Sequence, residues 1–151
     1  MSNSQAMCTS FKTEILDGIH ALGTTVIRAG TGADTLKAAL YLASATVNAA
    51  TTAYSATGEV TGSGYSAGGI TATNANQPAN SGTTAYWTPS ASFTYTNVTL
   101  TTAFDAVLIY NSTQSNKAIS VHTFGSQTVT AGTFVLSMPT NDASTGLLRI
   151  A

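Results

Sequence analysis

Six carboxylates, two histidines and a single cysteine are the chain's main means of doing chemistry. Glu14, Asp17, Asp34, Glu59, Asp105 and Asp142 lie far apart in sequence. A glycosidase needs two carboxyl groups about 5–10 Å apart. Folding can bring Glu59 and Asp105 together, but no spacing predicts it. His122 alternates along an expected strand with Ser120 and Phe124, a pattern typical of a surface or hydrogen-bonded residue rather than a ligand. Cys8 is alone, which excludes an internal disulfide and a cysteine-based zinc set. As a nucleophile it needs a histidine. His20 lies twelve residues along on the same expected helix, and nothing nearby lowers the thiol pKa. Metal binding has no support in the His and Asp spacing. The glycine-rich stretch TGEVTGSGYSAGG, from Thr57 to Gly69, lacks the Gly-Lys-Ser/Thr of a phosphate loop and reads as a structural loop. Tyr65, Tyr86, Trp87 and Tyr95 are the candidate exposed aromatic surface for stacking on a sugar, with core packing of Trp87 beside Pro89 as the other reading. Asn97-Val98-Thr99 and Asn111-Ser112-Thr113 match the N-glycosylation pattern, which is frequent in so Thr-rich a chain. No catalytic set emerges, so the expectation is a protein without enzymatic activity, cofactor or metal.

The composition points the same way. Only 7% of the residues are charged, where a soluble domain carries about a quarter. Thr, Ser, Ala, Asn and Gly stand in their place. With 5 basic and 6 acidic residues, the net charge is -1. A free monomer keeps itself soluble with interspersed charge, so a hydroxyl-rich neutral surface suits a building block that presses against copies of itself or a scaffold. Lys12, Arg28, Lys37, Lys117 and Arg149 are scattered singly, which argues against nucleic acid as a partner. No window approaches the roughly 20 apolar residues of a membrane span. Met1 to Gln5 shows no basic region followed by an apolar run, so synthesis and retention in a cytoplasm are expected. The 43% hydrophobic fraction is ample for a packed core.

The elements that must position these residues follow from periodicity. Thr9 to Leu22 reads as a helix, with Phe11, Ile15, Ile19 and Leu22 on one face, Ser10 as N-cap, Gly18 as a weak point and Gly23 as the stop. These four apolar residues are the candidate assembly contacts, on the body of the domain or on a partner. From Thr35 onward short β-type runs alternate with Gly, Asn and Ser punctuation. The expected strands begin with Leu36 to Leu42. Ile70 to Thr73 and Thr83 to Trp87 follow, with a turn at Asn80-Ser81-Gly82 between them. Next come Phe93 to Asn97, the central Phe104 to Tyr110 and Ala118 to Phe124. Thr128 to Thr130 and Thr133 to Met138 form a hairpin around Ala131-Gly132, and Leu147 to Ile150 closes the chain. The fold class is therefore mainly β: an antiparallel β-sandwich or barrel-like domain with one N-terminal α-helix. Residues 1–23 form an arm and helix packed on the body or a partner, and 24–151 the β-sandwich domain.

Several segments together resemble a family of small virion structural proteins of tailed bacteriophages. They are SFKTEILDGIHAL, TLKAALYLASATVNAATTAYSATGEVTGSGYSAGGITAT, AFDAVLIYNSTQSNKAISVHTFG and TFVLSMPTNDASTGLLRIA. The stretch from TTAY through GEVTGSGYSAGG is the most diagnostic. The resemblance implies a head-decoration or cement protein located in the virion and assembled in the bacterial host cytoplasm, with a tail or fibre adhesion module as the alternative. The partners then expected are copies of itself, as a homo-oligomer with a trimer as its guessed state, and the major capsid protein or other virion proteins.

Overall fold

The computed structural model describes residues 2–16, 18–24 and 32–151; Asp17 and Arg28, named above, lie outside them. Among these residues the protein is mainly β, with two antiparallel sheets that do not close into a barrel and one short helix, consistent with a sandwich. The large sheet has the order β1-β7-β6-β2-β3, made of β1 (Ala6–Met7), β2 (Leu36–Leu42), β3 (Ile70–Thr71), β6 (Phe93–Asn111) and β7 (Lys117–Leu136). The small sheet has the order β4-β5-β8, made of β4 (Ala79–Ser81), β5 (Thr84–Trp87) and β8 (Leu148–Ile150). Helix α1 spans Thr9–Leu16.

Strand β2 follows its sequence closely. LKAALYL is buried along nearly its whole length, as a strand covered on both faces should be. It pairs with the apolar half of β6, Leu36 opposite Asn111 and Leu42 opposite Phe104. Leu36, Leu40, Phe93, Phe104, Leu108, Ile109 and Ile119 are fully buried here. Each large aliphatic or phenyl side chain removed from water stabilises by about 1.5–3 kcal/mol. Trp87 and Leu148 bring the small sheet into the same core.

Three expectations need correction. The helix does not reach Leu22. Gly18 takes φ 67, its N–H bonds to the Ile15 carbonyl, and the Ile19 N–H bonds to the Glu14 carbonyl. That pair of bonds is the Schellman stop, which a glycine accepts without Cβ strain. Ile19, His20 and Leu22 thus lie beyond the helix, and Ser10 falls inside it rather than capping it, its buried hydroxyl without a hydrogen-bond partner. Second, Ala131-Gly132 is no hairpin: both residues sit within the continuous 20-residue β7. The two expected strands Phe93 to Asn97 and Phe104 to Tyr110 are likewise one 19-residue β6. Register shifts along the β6–β7 pair, with Asn97 at φ 53 and Ala131 at φ 45, absorb the breaks in alternation as bulges. Third, the expected turn Asn80-Ser81-Gly82 begins too early. Ala79–Ser81 is a strand, and Gly82-Thr83 is the two-residue connection, with φ 58 at Gly82.

The loop from Thr57 to Gly69 lies across the large sheet. Glu59 bridges Tyr41 and Ser63 bridges Thr99, while Val60 N–H bonds to Leu40 and Leu42 N–H to Gly58. Its glycines are required by proximity. A Cβ on Gly69 would lie 1.8 Å from the Ala38 carbonyl oxygen, and one on Gly64 2.1 Å from that of Asn97. Both residues also have positive φ, 70 and 78.

Candidate functional site

The structure brings together residues that the sequence placed in two separate groups. Phe11 and Ile15 of α1, Leu22 beyond it, Tyr86 and Trp87 of β5, and Ile150 of β8 line one cleft of about 640 Å³. Ile19 does not line it. Phe11 and Trp87 are almost wholly buried, whereas Tyr86 is half-buried and Ile150 is 48% exposed at the rim. The indole N–H of Trp87 is satisfied by the Asn76 carbonyl at 3.0 Å. The cleft is therefore an apolar slot between the N-terminal segment and the small sheet.

Beneath it lies a buried polar network that no sequence spacing announced. His20 Nε2 meets Glu14 Oε2 at 2.7 Å, and Lys117 Nζ donates to Glu14 Oε1 at 2.6 Å. The Asn111 amide approaches His20 Nδ1 at 3.0 Å and donates to Asp34 Oδ2 at 2.7 Å. The Asn111 side-chain oxygen already accepts the N–H groups of Thr113 and Gln114, so its amide nitrogen must face the ring. His20 Nδ1 is then an acceptor, and Nε2 carries the proton given to Glu14. Asp34 also accepts from the Ala21 N–H and the Gln114 amide. Burial pushes the Glu14 carboxyl up, but the hydrogen bonds from Lys117 and His20 and the charge of Lys117 outweigh it and hold the carboxyl below its usual range. The network ties α1 and the segment behind it to the ends of β6 and β7.

Cys8 does not share a helix with His20; it precedes α1 and is fully buried. Burial, and secondly the charge of Glu14, raise its thiol to about 11, which leaves it protonated and unreactive.

The expected exposed aromatic surface is not one surface. Tyr95 is 2% exposed and Trp87 1% exposed. Tyr65 stacks on Tyr95 with centroids 5.9 Å apart, far in sequence from the Tyr86–Trp87 pair. Tyr65 belongs to a second buried group, centred on Glu59. The Tyr54 hydroxyl donates to Glu59 Oε2 at 2.6 Å, and the Tyr65 hydroxyl and the Gly68 N–H donate to Oε1 at 2.7 and 2.8 Å. Tyr54 stacks on Tyr110, whose hydroxyl donates to the Gly68 carbonyl. Burial, then the Glu59 contact, raise the phenols of Tyr54 and Tyr65. With three donors, Glu59 is a carboxylate that clamps the glycine loop onto the sheet. Asp105 is engaged elsewhere, accepting from Asn3 at 2.6 Å. The flanking tyrosines five residues before and six after Glu59 are a local signal that sequence reading passed over.

His122 lines a small cavity of about 170 Å³ with Phe93, Phe124, Leu136 and Met138. Its Nε2 meets Ser120 Oγ at 2.9 Å, and burial lowers its pKa to about 4. Asn111 is fully buried and bonded, which closes it to glycosylation, whereas Asn97 is exposed. Among the described residues no group of three or more His, Cys, Asp or Glu is placed to hold a metal ion. No helix among them is long and apolar enough to cross a membrane. Comparison of the chain with protein-family models, curated proteins and solved structures finds no significant match in any of the three.

Proposed function

We propose that this chain is a non-enzymatic structural protein of a bacteriophage virion, decorating or cementing the head shell. The observation that carries the reading is the outer surface of the β6–β7 ribbon. Thr94, Thr96, Thr101, Thr102, Thr128, Thr130 and Thr133 are all exposed on it, and the ribbon carries no charged side chain from Phe93 to Ala103 or from Thr123 to Leu136. A neutral face of hydroxyls and methyls is poorly suited to standing alone in water and well suited to repeated contacts with a regular lattice, where modest affinities multiply. The sequence segments resembling virion proteins support the same reading. Its partners are copies of itself and the major capsid protein, and its location is the virion assembled in the host cytoplasm. Glu14, Asp34 and Glu59 are bonded as structural anchors, in keeping with a scaffold role.

The apolar cleft favours one alternative, a tail or fibre adhesion module that uses the half-buried Tyr86 at its mouth. The copy number per purified virion, by quantitative mass spectrometry against the major capsid protein, decides between them. Hundreds of copies support decoration, and a few to a few dozen support the tail. Absence from the particle overturns both.

A further inference from the structure

The large sheet has two long edges, and the fold treats them differently. On the β2 side the glycine loop covers the backbone: Val60 bonds to Leu40, Leu42 to Gly58, and Thr99 of the adjoining β6 to Ser63. β3 continues that side, pairing with Lys37 and Ala38. On the β7 side the cover stops early. Residues 52–54 reach 116–118, and β1 reaches Ser120 and Val121. From Thr123 to Leu136, among the described residues, β7 is bonded to β6 on one side and to no other segment's backbone on the other.

Natural proteins protect such an edge with lysine, proline or an inward charge. Thr123 to Leu136 contains no Asp, Glu, Lys, Arg or Pro. It also carries Val135, 48% exposed and one of two large exposed hydrophobic residues among those described. The bulges against β6 are its one guard, and an edge this long and neutral is a strand-pairing surface.

We infer that the 123–136 edge of β7 pairs antiparallel with the same edge of a second copy, joining two large sheets into one across a two-fold axis. The occupant follows from the other edge being closed. A head-to-tail ring, including the trimer guessed at first, needs two different open edges on each copy. Among the described residues the β7 edge is the longest open one, β2 being covered and β6 open only from Phe93 to Val98, so the most extensive contact a copy can make is self-complementary, and such a contact closes at two. Neutrality on both sides removes the like-charge penalty that such self-pairing otherwise carries. The inference gives the copies invoked for the virion role a defined contact, but its test does not depend on that role.

The test is the mass in solution by light scattering during size exclusion, at about 50 μM and in dilution series. The intact chain should elute at twice its 15.3 kDa. Thr128→Lys with Thr130→Lys, both exposed positions, places four like charges across the axis and should raise the dimer dissociation constant at least about tenfold. Thr57→Lys with Thr61→Lys, on the exposed loop of the closed edge, should leave it unchanged. Circular dichroism establishes that both variants fold. If the edge variant is misfolded, amide hydrogen exchange of the intact chain decides: protection within 123–136 must fall on dilution. A monomeric or trimeric intact chain, a dimer indifferent to the edge lysines, or exchange indifferent to dilution overturns the pairing. None of these results touches the copy number in the virion, so the two readings fail separately.

Discussion

His122 makes the stability of this protein pH-dependent in a window where its carboxylates alone would not. The ring lies in the apolar cavity under β7, and burial lowers its pKa from 6.5 to about 4. Between those values the unfolded chain binds a proton that the native state refuses. Stability therefore falls as pH falls through that window and is insensitive to this ring above it. Each tenfold loss of proton affinity is worth about 1.4 kcal/mol, so the full span is roughly 3 kcal/mol. That is a large part of a total stability of about 5–15 kcal/mol. His122→Gln keeps an acceptor for the Ser120 hydroxyl and cannot titrate. Urea unfolding reports through Trp87, the one tryptophan, which is 1% exposed. Both proteins would be unfolded at intervals from about pH 7.5 to about pH 4.5. Carboxylate titrations are shared and cancel in the difference. The stability of wild type minus variant should drop by about 2.5 kcal/mol across the series, which ends just above the folded pKa. Curves that run parallel would mean the ring takes its proton equally in both states, and the reasoning would fail.

Tyr65→Phe removes one of three donors from buried Glu59 and should cost about 1–3 kcal/mol in the same unfolding assay. A cost below about 0.5 kcal/mol would refute the clamp. Gly69→Ala forces a methyl against the Ala38 carbonyl, so it should lower the melting temperature by more than 10 °C, about 2.5 kcal/mol or more for this length, whereas Gly82→Ala, also at positive φ but in open space, should cost far less. Cys8 should be silent to Ellman's reagent at about pH 8 in the native protein and react fully in denaturant. Prompt reaction in the native state would show the thiol is accessible. Lys117→Met strips the nearest cation from Glu14, whose carboxyl should then titrate higher. Less stability should be lost on acidification than in wild type, because that loss scales with how far the folded carboxyl is held below its unfolded value.

Much of the architecture is legible in the alternation of residues. β2, the polar turn after Asn111 and the closing strand β8 stand where apolar runs and punctuation put them. The helix overruns in a reading by period because Ile19 and Leu22 keep the 3.6-residue rhythm past Gly18. Only the backbone bonds at Gly18 end it. Ala131-Gly132 carries turn chemistry yet serves a bulge, since a bulge and a hairpin demand the same positive φ. The buried network is illegible for another reason. Glu14, His20, Asp34, Asn111 and Lys117 come from five separate segments, and only the pairing of β2, β6 and β7 collects them. Tyr86 and Trp87 could be read as a pair, but not the cleft that sets them opposite Phe11.

The order of the large sheet also fixes when the chain can fold during synthesis. β2 emerges from the ribosome with both faces apolar, yet its partner in β6 begins about 60 residues later. At a translation rate of about 5–20 residues per second, LKAALYL waits roughly 3–12 s without its neighbour. β1 waits longest, since Ala6 and Met7 pair only with Ser120 and Val121. The segment around β1 can bond early to Val47 and Ala49, through the Ser4 and Thr9 N–H groups, but its strand pairing must wait for β7. Nearly the whole chain must exist before the core closes, so nascent copies crowded on one message are exposed to each other in that interval.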